Sequence, residues 1–194
     1  MYNCPDRFSV PDGLPIDFRI ADFDIGPAVS KLKMDANKID ICLVDGWHTY
    51  DCAIRDLNCT YELLAEGGVL VVHDCLPLNE SVASPTYIKG LWNGVTYKAY
   101  VDFVLARDDL DYCTVDVDEG CGIIIKNRTM NFMTNASSSV RKSKLVSDWV
   151  SIHDDDKSVF SFFMKNHKHL LRLISAKTFV RGFGRNLAKQ SVEI

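Results

Sequence analysis

The chain has 194 residues, of which 47% are hydrophobic and 25% charged, and its formal net charge is -4. This length and composition predict one sizeable globular domain with room for an appendage. The negative charge argues against a general nucleic-acid-binding surface. No apolar run approaches the roughly 20 residues that a membrane-spanning helix needs, so we expect no transmembrane segment.

Seven cysteines are spread along the chain without any CxxC pair. Cys42 and Cys113 lie inside apolar runs, which is typical of buried free thiols rather than of zinc ligands or disulfides. The first residues, MYNCPDRF, lack the charged and apolar regions of a secretory signal. We therefore expect a cytoplasmic protein in a reducing compartment.

In chain order, the first predicted elements are short. Ile16–Ala21 alternates like a strand, and Pro27–Met34 has the length of a short helix. Ile39–Val44 is a nearly all-apolar run, typical of a strand that is covered on both faces. The helix that follows carries an apolar stripe, and Gly67–Gly68 is its predicted C-terminal stop.

The next elements alternate between strand and helix. Val69–Val72 predicts a buried strand and Val95–Ala106 a helix, and then Tyr112–Val117 and Cys121–Lys126 predict two strands joined by a tight turn. Such alternation predicts an α/β sheet that is mostly parallel. The last two strands predict an antiparallel hairpin at one edge.

The sequence predicts three parts along the chain. Residues 1–126 form the predicted α/β domain, 127–144 a Ser- and Asn-rich linker, and 145–194 a helical C-terminal extension. Within the extension, apolar residues over Ser158–Ile174 recur at helical spacing. The basic tail that follows is typical of a helix with a solvated face, and membrane contact is the alternative.

Reactive side chains follow both central strands of the predicted sheet. Asp45 follows the first strand in the motif DGWHTYD, with His48 three residues later, and His73 and Asp74 follow the second strand. Because ligands bind outside the carboxyl ends of strands in an open α/β sheet, we expect these four residues to meet in one crevice.

Two kinds of chemistry suit these side chains. Asp45 and Asp74, with His73 as a third ligand, suit a divalent cation such as Mg²⁺, although the histidine leaves zinc open. His48 suits a general base, because imidazole titrates near physiological pH. The structural alternatives are a helix cap at Asp45 and a simple hydrogen bond from His48.

The segment IDICLVDGWHTYDCAIRDLNCTYELLAEGGVLVVHDCLP resembles the second half of class I S-adenosylmethionine-dependent methyltransferases, in particular the small-molecule and sugar O-methyltransferases. The likeness continues through LWNGVTYKAYVDF and TVDVDEGCGIIIK. It implies a Rossmann-like methyltransferase sheet in which Ile39–Val44 is the family's fourth strand and Val69–Val72 its fifth. It also implies S-adenosylmethionine as cofactor and a small-molecule or sugar substrate, and it leaves a homo-oligomer open.

The resemblance also implies roles for the site residues. In metal-dependent relatives, the acid that ends the fourth strand binds Mg²⁺ together with residues that end the fifth, and Asp45 and Asp74 match those positions. His73 stands where many relatives have an acid. His48 matches the position of the catalytic base.

The family's Gly-rich loop, which holds the methionine part of the cofactor, has no counterpart before Asp45. The chain would then begin near the family's second strand, with an N-terminally truncated sheet. The resemblance leaves Asp6 near the ribose, Asp22 at the adenine edge, and Asp45 and Trp47 as cofactor-binding candidates, so we expect this chain alone to bind the cofactor weakly.

Two alternatives to an active methyltransferase stay open at this point. A non-catalytic or truncated methyltransferase-like module, serving binding or interaction, would explain the missing glycine loop. A metal-dependent hydrolase on a similar sheet is disfavoured, because the sequence offers no third clear acid near the strand ends.

Overall fold

The computed structural model describes residues 38–127, 129–130, 137–153 and 155–190. This part of the chain contains five strands: β1 (Ile39–Val44), β2 (Leu64–Val72), β3 (Leu110–Asp116), β4 (Cys121–Lys126) and β5 (Leu173–Ser175). It contains six helices: α1 (Tyr50–Leu63), α2 (Thr96–Ala106), α3 (Ser137–Arg141), α4 (Lys144–Ser151), α5 (Asp156–Leu170) and α6 (Ala176–Gln190). Within these ranges no helix is long and apolar enough to cross a bilayer.

The five strands form one mixed sheet in the order β1-β2-β4-β3-β5. β1 and β2 are parallel, with Val44 opposite Val72. β4 runs antiparallel to both β2 and β3, and β5 is parallel to β3. Of the described strands, β4 alone therefore runs against the other four. This arrangement confirms the predicted α/β class, its mostly parallel direction and its antiparallel hairpin.

The hairpin does not lie at the edge of the sheet, so that detail of the prediction is wrong. β5 extends the sheet beyond β3, with Thr114 opposite Leu173 and Val115 opposite Ile174. The helix predicted over Ser158–Ile174 ends at Leu170 instead, which leaves room for this strand. A strand of only three residues is too short for its period-two pattern to be recognised from sequence.

One face of the sheet carries the main core. Leu57 and Tyr61 of α1 pack there with Tyr100 of α2, and Trp149 of α4 and Phe163 of α5 complete the same cluster. The C-terminal helices thus bury their apolar faces against the predicted α/β domain. The predicted linker contains helix α3. Whether residues 127–144 separate two domains stays a prediction.

A buried ion pair also fastens the C-terminal segment to the sheet. Arg172, just before β5, pairs with Asp111 of β3, and both side chains are buried. Asp111 also accepts a hydrogen bond from the backbone N–H of Met130 at 2.6 Å. Removing one partner of such a pair leaves an uncompensated charge in the interior, so this pair fixes the position of the chain.

Two local expectations about β1 and α1 differ from the structure. Ile41 and Leu43 of β1 are 68% and 65% exposed, so one face of the strand is uncovered among the described residues. Helix α1 ends at Leu63, before the predicted glycine stop, and Gly67 and Gly68 lie inside β2. Gly67 has a φ of 73°, which marks an irregularity at the start of the strand. The predicted elements Ile16–Ala21 and Pro27–Met34 lie outside the described residues.

Candidate active site at the strand ends

The parallel register of β1 and β2 brings the predicted site residues together. Val44 and Val72 are partners at the carboxyl ends of the two strands, so Asp45 and His73 follow side by side. The backbone N–H of His73 donates to Val44 O at 3.0 Å and extends the pairing by one residue. The bend after Asp45 then turns the chain back before α1, which aims His48 at the end of β2.

His48 and Asp74 form the closest pair in the site. The Nδ1 atom of His48 lies 2.6 Å from Oδ2 of Asp74. The distance is that of an ion pair, although the imidazole N–H is not aligned on the carboxylate as a regular hydrogen bond. Within the described chain, Nε2 of His48 has no protein hydrogen-bond partner. One ring nitrogen is thus directed to a carboxylate and the other is left for a ligand.

Asp74 is held in an uncommon conformation. It is only 4% exposed and has a φ of 62°, which non-glycine residues rarely adopt. Its Oδ1 accepts a hydrogen bond from Nδ2 of Asn93 at 2.5 Å. Burial alone would raise the pKa of Asp74, but the contacts with His48 and Asn93 lower it below its usual range. Asp74 is therefore kept ionised next to the imidazole.

His73 connects the pair to a second acidic group. Its Nδ1 atom lies 3.3 Å from Oδ1 of Asp74 and 3.6 Å from Oδ1 of Asp45, and its Nε2 atom lies 3.2 Å from Oδ2 of Asp118. Partial burial alone would lower the pKa of His73, but these surrounding carboxylates raise it. His73 thus links the strand ends to the β3–β4 turn.

Three of the four residues could hold a metal ion. Asp45, His48 and Asp74 each offer one ligand atom, and these atoms lie within 4.8 Å of one another. Opposite ligands of an ion with bonds of about 2.1 Å are about 4.2 Å apart, so the spacing of these atoms is close to that of a coordination set. This compact set differs from the predicted ligands Asp45, His73 and Asp74, because it contains His48 and not His73. Two oxygens and one nitrogen fit a divalent cation in donor type.

A cluster of three aromatic rings lies next to His48. Trp47 stacks on Tyr87 with ring centroids 5.4 Å apart, and Trp92 contacts both rings edge-on. The Trp92 ring also lies 5.2 Å from the imidazole of His48. Trp47 and Tyr87 are partly exposed, so this cluster forms an aromatic surface near His48.

A cavity of about 580 Å³ is lined in part by Asp118, the residue that contacts Nε2 of His73. Its walls are the loop after β2, the β3–β4 turn and the end of α5, with these lining residues: Leu76, Pro77, Leu78, Asp116, Val117, Asp118, Glu119, Gly120, Met164, His167, Lys168 and Leu173. The volume suits a small molecule. The C-terminal helix α5 therefore forms one wall of this cavity.

Sequence reasoning missed Asn93, Asp118 and the contribution of α5. Asn93 lies in LWNGV, a stretch that carried the family resemblance but no evident chemistry. Asp118 lies in the acidic turn DVDEG, whose charge was the available signal. Of the predicted cofactor residues, Asp45 and Trp47 lie at the site, whereas Asp6 and Asp22 lie outside the described residues.

The sheet order and the direction of its strands define a Rossmann-like α/β protein with polar groups at the carboxyl ends of β1 and β2. Residues 10–75 match the family model described as a methyltransferase domain. This segment ends one residue after Asp74 and so contains His48 and its partner. The match confirms the predicted resemblance to class I S-adenosylmethionine-dependent methyltransferases. No similar sequence is found among curated proteins.

Proposed function

We propose that the protein is an S-adenosylmethionine-dependent O-methyltransferase that acts on a hydroxyl group of a small molecule or sugar, with His48 as its general base. The observation that carries the proposal is the His48–Asp74 pair at the ends of two adjacent parallel strands. The methyltransferase-domain match over residues 10–75 supplies the reaction class.

The geometry supports different roles for His48 and Asp74. His48 Nε2 removes the proton from the acceptor hydroxyl, while Asp74 holds Nδ1 and stabilises the imidazolium that forms. S-adenosylmethionine, when bound, supplies an electrophilic methyl group on a sulfonium. The deprotonated oxygen would form a bond to that methyl carbon as the carbon–sulfur bond breaks, and S-adenosylhomocysteine would leave as a neutral thioether. The proton would pass from His48 to solvent.

Trp47 and Trp92 support cofactor binding beside the base. An aromatic surface near His48 suits both a purine ring, through stacking, and a sulfonium, through cation–π attraction. We propose Trp47 and Asp45 as contacts of the cofactor on this side. Asp6 and Asp22 remain our proposal for its ribose and adenine.

A divalent cation would be held by Asp45 and Asp74, whose ligand atoms meet in the compact set. Such an ion would lower the pKa of a bound hydroxyl and orient it. His73 remains the proposed third ligand, because its Nδ1 atom faces both carboxylates.

The cavity lined in part by Asp118 is our proposed place for the body of the acceptor. Its apolar residues, such as Leu76 and Met164, offer a surface for a carbon skeleton, and Asp118 and Lys168 offer polar contacts. The free thiols of all the described cysteines support a reducing, cytoplasmic location.

The experiment measures cofactor binding and methyl transfer separately. Isothermal titration with S-adenosylmethionine tests binding, and a tritiated methyl group tests transfer to a panel of phenols, catechols and sugars. We expect labelled product with at least one hydroxyl acceptor and none with the matched methyl ethers. Binding of the cofactor without transfer to any acceptor would favour the non-catalytic module instead.

A further inference from the structure

We infer that the segment Asn93–Val95, called the clamp below, positions His48 and Asp74 relative to each other. The inference rests on the proposed function, because it concerns the orientation of the proposed base. The clamp lies just before helix α2 and contacts both members of the pair through different atoms. It therefore acts as a positioning element and touches no substrate atom.

The Asn93 side chain is buried because it binds the Asp74 carboxylate, and not because it packs in the hydrophobic core. It is 1% exposed, and its Nδ2 atom donates to Oδ1 of Asp74 at 2.5 Å. Only the amide nitrogen can face a carboxylate, so the orientation of the amide is fixed by chemistry. Within the described residues, the amide oxygen is buried without a hydrogen-bond partner, which costs free energy. A leucine of similar volume would avoid that cost, but it could not hold the carboxylate.

The backbone of the clamp holds His48. The N–H of Val95 donates to His48 O at 2.8 Å. Gly94 has a φ of 56°, and a Cβ atom there would lie 2.6 Å from the Cβ atom of His48. Only glycine allows this approach, since any side chain would displace the His48 backbone.

The clamp is itself anchored behind the site. The N–H groups of Asn93 and Gly94 both donate to Val82 O, at 2.9 and 3.0 Å. One rigid segment thus fixes the backbone of His48 and the carboxylate of Asp74 at the same time. These two attachments limit how far His48 and Asp74 can move apart.

This arrangement determines which ring nitrogen of His48 carries the proton in the neutral imidazole. Two unprotonated acceptor atoms would repel each other at 2.6 Å, so Nδ1 carries the proton, although its N–H bond is not aligned on the Asp74 carboxylate as in a regular hydrogen bond. Nε2 then presents its lone pair to the acceptor hydroxyl. Without the Asn93 amide, Asp74 is free to rotate, and the proton distributes over both ring nitrogens.

Long-range ¹H–¹⁵N NMR of the imidazole rings tests the inference, at a pH where His48 is neutral and without cofactor or acceptor. The spectrum of H48Q assigns the His48 signals. We expect the Nδ1–H tautomer in the parent protein and in the control N58A, which changes an exposed asparagine of α1. In N93L and, independently, in G94A, we expect a mixture of the two tautomers.

An Nε2–H tautomer in the parent protein, or an unchanged Nδ1–H tautomer in folded N93L, would overturn the inference. Thermal unfolding establishes that each variant is folded, and G94A decides the matter if N93L is not. Once an acceptor has been identified, N93L should lower kcat about tenfold and leave the KM for that acceptor nearly unchanged. Absence of methyl transfer refutes the proposed function alone, because the tautomer is measured without turnover.

Discussion

Two of the histidine–aspartate contacts among the described residues have nearly the same distance but lie in different parts of the fold. His48 and Asp74 meet at the carboxyl ends of β1 and β2. Asp102 of α2 instead contacts Nε2 of His153 at 2.7 Å, among the helices that cover the sheet. Residue type and short distance are therefore the same in the two pairs, and position in the fold distinguishes them.

The partners of the two carboxylates show how their roles differ. Asp102 accepts hydrogen bonds from Trp149 at 2.7 Å and Tyr50 at 2.9 Å, in addition to the contact with His153. Tyr50 lies in α1, Trp149 lies in α4, and His153 lies two residues after the end of α4. Asp102 therefore joins several elements of the fold. Asp74 is held by Asn93 and His48, and the second nitrogen of His48 points away from it. The Asp102–His153 pair is therefore suited to stabilising the fold, and the His48–Asp74 pair is the one that we propose for proton transfer.

The largest expected effect separates the two histidines. H48A should lower turnover about 10²–10⁴-fold, because the general base is lost. H153A should leave turnover within about twofold and lower the melting temperature, since it removes one of the partners of Asp102. Steady-state rates with the acceptor found in the screen and thermal unfolding of both variants check this. An equal loss of rate in the two variants would contradict the different roles of His48 and His153.

The two aspartates provide the next comparison. D74N should lower turnover about 10–10²-fold, because an amide orients His48 poorly and does not stabilise an imidazolium. D102N should instead lower the free energy of unfolding by about 1–3 kcal/mol, because charge-assisted hydrogen bonds are weakened. Urea unfolding and rate measurements on both variants give the two values. A stable but inactive D102N would contradict the assignment.

Metal binding should occur at Asp45 and Asp74 rather than at the Asp102–His153 pair. Calorimetry with Mg²⁺ and Mn²⁺ should detect binding that D45A weakens at least about tenfold, because one of two carboxylate ligands is removed. D116A changes an exposed acid beside the cavity and should retain the binding. Undiminished binding in D45A would place the ion elsewhere, and full activity in excess EDTA would leave a metal-free mechanism.

Acid unfolding should report the environment of Asp74. Its pKa in the folded protein lies below the ordinary value of 3.8, so its ionised form stabilises the fold above that value. That stabilisation is lost as the pH falls through the folded-state pKa. D74N should therefore show a smaller loss of stability on acidification than the parent protein, measured by urea unfolding in EDTA. An identical acid slope in both proteins would contradict the lowered pKa.

Much of the site follows from local sequence patterns. The apolar run Ile39–Val44 predicted β1 at its observed bounds, and the run that ends at Val72 predicted β2. Asp45 and His48 follow at fixed spacing after a strand end, where a ligand site is expected. These features are set by residues near in sequence, so they could be recognised without the structure.

The remaining features depend on contacts between distant segments. Asn93 binds a carboxylate 19 residues earlier in the chain, and no local pattern indicates that pairing. β5 joins the sheet through three residues between two helices, where helical periodicity dominates. Gly67 looked like a helix stop because glycine often ends helices, but the chain uses it inside β2. Tertiary packing determined each of these outcomes.

Transfer of a ¹³C-labelled methyl group tests the central claim most directly. The protein is incubated with S-adenosylmethionine labelled in its methyl group and with the acceptor, and the chemical shift of the product methyl group identifies the atom that received it. We predict an O-methyl product in the parent protein and in H153A, and almost none in H48A. A methyl group on nitrogen or sulfur, or an O-methyl product formed equally well by H48A, would contradict the account.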